Sequence, residues 1–159
     1  MSCATSALKQ SFGGFAVAIV MTFAQVAQAA TPQDAIVGTW LTEDGGSKVD
    51  VVAGKAANGS AVYSGKVSSL KDPTRDGKPL VDANNADAAL RNRPILGLEI
   101  LSGFKAAGTG AWIGGTLYSP RRGESFPADL SLQPDGSLQL KVKAGFMTKT
   151  VRWTRRGAT

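Results

Sequence analysis

Between Lys71 and Gly97 the sequence KDPTRDGKPLVDANNADAALRNRPILG gathers the side chains best suited to hold an ion or a polar ligand. Asp82, Asn84, Asn85 and Asp87, in the pattern D-x-N-N-x-D, offer the carboxylate and amide oxygens that hard cations take. Two positions depart from a calcium loop: the sixth, where glycine makes the sharp turn, is Asp87, and the twelfth from Asp82 is Arg93 instead of a bidentate Glu. No metal is therefore expected, and these four residues are read as loop-structuring, because Asp and Asn side chains cap turns by accepting from nearby backbone N–H groups. Arg91 and Arg93 follow at once. Guanidinium groups that close to Asp82 and Asp87 form bidentate ion pairs that pin a loop, or keep one fork open for the carboxylate or phosphate of a ligand.

Other chemistry is restricted by what the chain lacks. It contains no histidine, and its one cysteine is Cys3. Ser-His-Asp triads, Cys-His dyads and His- or thiolate-ligated metals are therefore absent from the repertoire. Glu43, Asp44 and Asp72 remain as carboxylates in turn regions, where a pair flanking a cleft could hydrolyse a glycosidic bond. Nothing in the spacing fixes their separation, so no catalytic residue is assigned, no enzyme activity is expected and no cofactor is called for.

The elements that must position these residues begin after an export signal. Lys9 gives a modest positive start, residues 12–26 form an apolar run, and Ala27-Gln28-Ala29 fits the small-x-small cleavage rule, so residues 1–29 read as a secretory signal peptide. Cys3 precedes the apolar run and would leave with it. The remaining residues 30–159 form one domain of about 130 residues, enough for a single core. The expected location is periplasmic or secreted, without an integral membrane anchor once the signal is removed. The cleaved chain would carry 17 basic and 12 acidic residues. That excess is scattered and lacks a basic helix or an aromatic RNA-binding strand, so no nucleic-acid partner is expected.

Hydrophobic alternation then repeats along the chain with hardly any helical periodicity. Residues 37–42, 48–51, 61–70, 96–100, 112–118, 126–132, 138–142 and 147–155 each read as a strand, mostly joined by short Gly-, Asp- and Pro-rich turns. Consecutive strands joined in this way pair antiparallel. An all-β fold follows, and an eight-stranded up-and-down barrel is favoured over a two-sheet sandwich because closure removes open edges. Glycines 65, 97, 103, 114 and 115 inside strand patterns suit the bends that closure demands. The segment at residues 71–97 becomes an ordered long loop between the third and fourth strands, anchored by Leu80, Val81, Leu90, Ile95 and Leu96.

Gly38-Thr39-Trp40 in the first strand, with an Arg near the last, resembles the Gly-x-Trp opening of lipocalins and other calycin barrels. That resemblance implies that Trp40 closes one barrel end beneath Arg155 or Arg152. The fuller pattern, GTWLTEDGGSKV, YSGKV, the DG and DANN segment, LRNRPILGLEIL, GGTLYSP and a terminal WTR, resembles the DUF2147 family of exported bacterial proteins across residues 36–155. It implies an envelope or secreted domain of lipocalin-like form and carries over no catalytic residues.

In a barrel, inward aromatics serve as both core and ligand wall. Trp40, Trp112, Tyr118 and Phe126, together with Arg91 and Arg93, are therefore the candidate ligand-binding residues, with Gly114 and Ala128 leaving room beside them. Two functions fit. The barrel holds a small apolar or amphipathic ligand, or it is filled and its polar loop docks an envelope protein or a glycan. A continuous apolar cavity distinguishes the first from the second.

Overall fold

The computed structural model describes residues 32–157. The expected signal peptide, residues 1–29, lies outside the described residues. A short 3-10 turn, Pro32–Ile36, leads into β1 (Gly38–Leu41), β2 (Ser47–Lys55) and β3 (Ala61–Leu70). A long connection follows, holding the two-residue strands β4 (Thr74–Arg75) and β5 (Lys78–Pro79) and a 3-10 turn at Ala88–Leu90. Then come β6 (Glu99–Ala106), β7 (Ala111–Ser119), β8 (Glu124–Leu132), β9 (Leu138–Ala144) and β10 (Met147–Arg156). The eight long strands close into a barrel in the order β1-β10-β9-β8-β7-β6-β3-β2, and every neighbouring pair is antiparallel. The expected up-and-down barrel is the observed fold, and β4 and β5 stand apart as a small ribbon in the connection.

Alternation sets which side chains enter. Leu138, Leu140 and Val142 of β9 are buried while Gln139, Lys141 and Lys143 are not, and Val49 and Val51 do the same on β2. Each such apolar side chain contributes about 1.5–3 kcal/mol by leaving water. Where the alternation is interrupted, the strand bulges. The β7–β8 register shifts between Trp112 and Gly115, and Gly114 there takes φ +73°, a conformation that glycine reaches without a Cβ clash. Gly115, next along, faces the Phe104 ring so closely that a Cβ would stand 2.4 Å from it. The strand expected from residue 96 starts at Glu99 instead: Gly97 has φ +82°, and Leu96 is 52% exposed on the turn ahead of it.

One end of the barrel is plugged. Trp40 is fully buried, and its indole Nε1 donates to the Ile36 carbonyl at 2.8 Å. Arg155 lies with its guanidinium carbon 4.4 Å from the centre of the Trp40 ring system and donates to the carbonyls of Val37 and Ala35. Gly38 makes room for it, since a Cβ there would stand 2.9 Å from Arg155 Nη1. Of the two arginines the sequence offers for this role, Arg155 fills it. Arg152 instead pairs with Asp135 at 3.2 Å. Trp112 Nε1 donates to the Gln33 carbonyl, Tyr63 packs edge-on against Trp112, and its hydroxyl donates to Asp34. The 3-10 turn is thereby bolted across this end by three aromatic side chains and one arginine. Arg155→Ala is expected to cost about 2 kcal/mol, from the lost cation–π contact and charged hydrogen bonds. Urea unfolding monitored by tryptophan fluorescence measures it, and a midpoint equal to the wild type would show that Arg155 is dispensable to the plug.

Candidate functional site

The opposite end is hollow. Strand directions place the β1–β2 turn, the long connection, the β7–β8 turn and the β9–β10 turn together there. Between them lies a cavity of about 720 Å³. Its barrel wall is apolar, made by Val67, Ile100, Leu117, Val151 and Trp153. Leu80, Val81 and Ile95 of the long connection complete that wall. Polar residues gather in the loops around it: Glu43, Asp44, Asp72, Arg75 and Arg121, with Lys149 on β10. An apolar interior with a few charged groups near the opening is the build of a small-molecule site, and the volume falls in the usual range for one.

What holds the connection over the barrel is a buried carboxylate. The segment doubles back on itself: Val81 bridges Pro94, Asp82 N donates to the Arg93 carbonyl, and Ile95 N donates to the Leu80 carbonyl. Asp82 is 0% exposed. Its Oδ2 accepts from Asn85 Nδ2 at 2.7 Å, from Arg93 Nε and Nη2 at 2.9 Å each, and from the Tyr118 hydroxyl at 2.7 Å. Arg93 also lies 5.3 Å over the Tyr118 ring, and Asn85 Nδ2 reaches the Tyr118 hydroxyl at 2.8 Å. Burial alone would push the Asp82 carboxyl up. The hydrogen bonds from Asn85, Tyr118 and Arg93, with the Arg93 charge, outweigh burial and hold it below its ordinary value. The Tyr118 phenol moves the other way, raised first by burial and then by donating to that carboxylate. The proton therefore stays on tyrosine, and the group is a charged clamp between the connection and β7.

Its neighbours extend the clamp. Asn85 Oδ1 accepts from Asp87 N, and Asp87 caps the 3-10 turn by accepting from Ala89 N. Asn84 Nδ2 donates to the Arg121 carbonyl, and Ala86 N donates to the Gly123 carbonyl, so the DANN segment lies against the β7–β8 turn. Arg91 Nε donates to the Asn85 carbonyl at 2.8 Å. Across the opening, Arg121 pairs with Asp44 at 2.8 Å.

Of the six residues that the sequence marks as ligand wall, the structure brings Tyr118 alone to the cavity. Trp40 and Trp112 sit in the plug, Phe126 packs on the core beneath Arg122, and Arg91 and Arg93 belong to the clamp. The cavity wall is instead aliphatic, with Trp153 as its one indole. A signal for it exists in the sequence: Lys149, Val151 and Trp153 share one phase of the last strand, and the middle one is small.

The sequence profile of a bacterial family described as "Uncharacterized protein conserved in bacteria (DUF2147)" matches residues 38–155. The chain belongs to this family. Among solved structures, the DUF2147 chain is similar to a protein of the human pathogen Helicobacter pylori described as belonging to the lipocalin family. The two share 24% identity with a TM-score of 0.62, over 76% of this chain and 82% of the other, a likeness that shows the barrel fold. A comparison with curated proteins finds no match. Among the described residues no helix is long and apolar enough to cross a membrane.

Proposed function

We propose that this protein is an exported component of the bacterial envelope, periplasmic or secreted, that holds a small apolar or amphipathic ligand in the open half of its barrel. The observation that carries this reading is the cavity of about 720 Å³, apolar within and charged at its opening. Such a shape takes the apolar body of a ligand inside and leaves its polar end at the rim. Export rests on the signal-like residues 1–29.

Binding without a chemical step suits the Asp44 carboxylate near the opening. Glycoside hydrolysis requires a general acid whose pKa is raised. Asp44 is shifted the other way, mainly by hydrogen bonds from Thr42 and the Gly46 N–H. A filled barrel docking through its polar loop has less support, because Asp82, Asn85 and Arg93 are engaged with one another.

Native mass spectrometry of the purified protein, followed by titration with a fluorescent polyene fatty acid, tests the reading. Saturable energy transfer from tryptophan is expected, weakened about tenfold or more in Val151→Trp, which fills the cavity from a wall position. A protein that carries no ligand and shows no saturable transfer would sink the carrier reading.

A further inference from the structure

The β9–β10 hairpin carries a feature that the cavity does not use. Phe146 is 101% exposed and Met147 63% exposed, at the apex of a two-residue turn closed by the Ala144–Met147 pair. Gly145 takes φ +64° at the first central position and Phe146 is not left-handed, the pattern of a type II′ turn. The apex is therefore tight, and it holds Phe146 away from the barrel. The charged side chains of the two hairpin strands are all basic: Lys141, Lys143 and Lys149 stand on the half nearer the tip, and Arg152, Arg155 and Arg156 lie towards the plugged end. Lys143 is paired with Asp129, whereas Lys149 has no salt bridge among the described residues. Lys149 also borders the cavity, so tip and opening share one end of the molecule.

We propose that this hairpin tip is a membrane-docking finger. Phe146 and Met147 enter the boundary between headgroups and acyl chains of an anionic lipid surface, and Lys149 and its neighbouring lysines rest at headgroup level. Two apolar side chains on a convex apex cannot form the roughly 800 Å² per partner of a standard protein interface. A bilayer needs no complementary pocket, and it rewards an aromatic at the interface with lysines behind it. Across the opening Glu43, Asp44 and Asp72 stand among Arg75 and Arg121, whereas the hairpin itself carries lysines only near its tip, so the molecule leans onto its β9–β10 side. In that pose the cavity opening lies beside the lipid, where an amphipathic ligand can pass between bilayer and barrel.

Co-sedimentation of the purified protein with vesicles of phosphatidylglycerol and of phosphatidylcholine tests the proposal. Binding to the anionic vesicles is expected, weakened by added salt, and reduced about tenfold or more by the double change Phe146→Ser with Met147→Ser. Lys149→Gln is expected to weaken binding to phosphatidylglycerol selectively. The serine double variant should retain the fluorescent fatty acid in the absence of vesicles, and Val151→Trp should still sediment with them, so docking and cavity binding succeed or fail separately. Equal binding by the wild type and the serine variant, or no preference for the anionic vesicles, would overturn the proposal. Lipid-free self-association that depends on Phe146 would also overturn it, assigning the tip to a second copy of the chain.

Discussion

Asp82→Ala is expected to lower the unfolding free energy by about 3 kcal/mol, chiefly the cost of leaving buried hydrogen-bond donors without their acceptor. The carboxylate accepts from Arg93, Tyr118 and Asn85 at once, so its loss strands three donors at the base of the connection. Arg93 can recover water because its side chain is partly exposed, but the Tyr118 hydroxyl and Asn85 amide lie deeper. Amide exchange across residues 80–95, the polar arm of the connection, should accelerate before the barrel itself unfolds, since this group and the contacts of Asn84 and Ala86 with the β7–β8 turn hold the arm jointly. Asp82→Asn keeps the shape but sets an amide against the Arg93 cation, and it should recover only part of the loss. The same carboxylate contributes to the acid limb of stability. Its pKa is lowered in the folded protein, so its contribution is complete above the ordinary aspartate value of about 3.9 and disappears as pH falls through the folded value. Stability of the wild type should therefore fall more steeply below about pH 4 than that of Asp82→Asn. Asp44 and Asp135 add to the residual slope, since they are also lowered, Asp44 chiefly by its hydrogen bond from Thr42 and Asp135 chiefly by that from Ser137. Unchanged exchange in the arm of Asp82→Ala would show that the clamp does not hold it.

The barrel was legible because inside and outside follow from a period of two, and eight alternating segments are enough to close one. The partner of Trp40 was legible to within two candidates, and the register of β1 against β10, with Trp40 opposite Arg155, chooses between them. Height along the barrel axis was not legible. Trp112 and Val151 are both inward, yet one packs in the plug and the other lines the hollow. That difference comes from strand stagger and from the 3-10 turn at Pro32–Ile36, which no alternation encodes. The polar arm was partly legible. Asp87 caps a turn, as its residue type favours, but the bond from the Tyr118 hydroxyl to Asp82 spans 36 residues and has no local signature. The β4–β5 ribbon had one: Asp76-Gly77, with φ +53° and +73°, is the Asp-Gly pair of a tight hairpin.

Gly123→Ala is expected to detach the arm as thoroughly as loss of Asp82, at about 3 kcal/mol, although it removes no interaction. A Cβ at this position would stand 1.7 Å from the Asn84 carbonyl oxygen and 2.4 Å from its carbon. Both groups are backbone, so no side-chain rotation relieves the overlap, and φ of +69° adds strain to any residue with a Cβ. Either the β7–β8 turn or the DANN segment must move. The turn is fixed by the Arg122 and Gly123 N–H groups donating to the Ser119 carbonyl at the end of β7, so the DANN segment gives way. Its departure would break the Asn84 bond to Arg121 and pull Asn85 from Tyr118. Combining Gly123→Ala with Asp82→Ala should then cost much less than the sum of the two, because both release the same arm. Full additivity in urea unfolding would mean that the two contacts hold separate units. The arm also supplies Leu80, Val81 and Ile95 to the cavity. Both variants should therefore release the fluorescent fatty acid faster than the wild type while Trp153 and the rest of the barrel wall stay in place. A stability effect without a change in release would separate the clamp from the cavity and leave the barrel wall alone to hold the ligand.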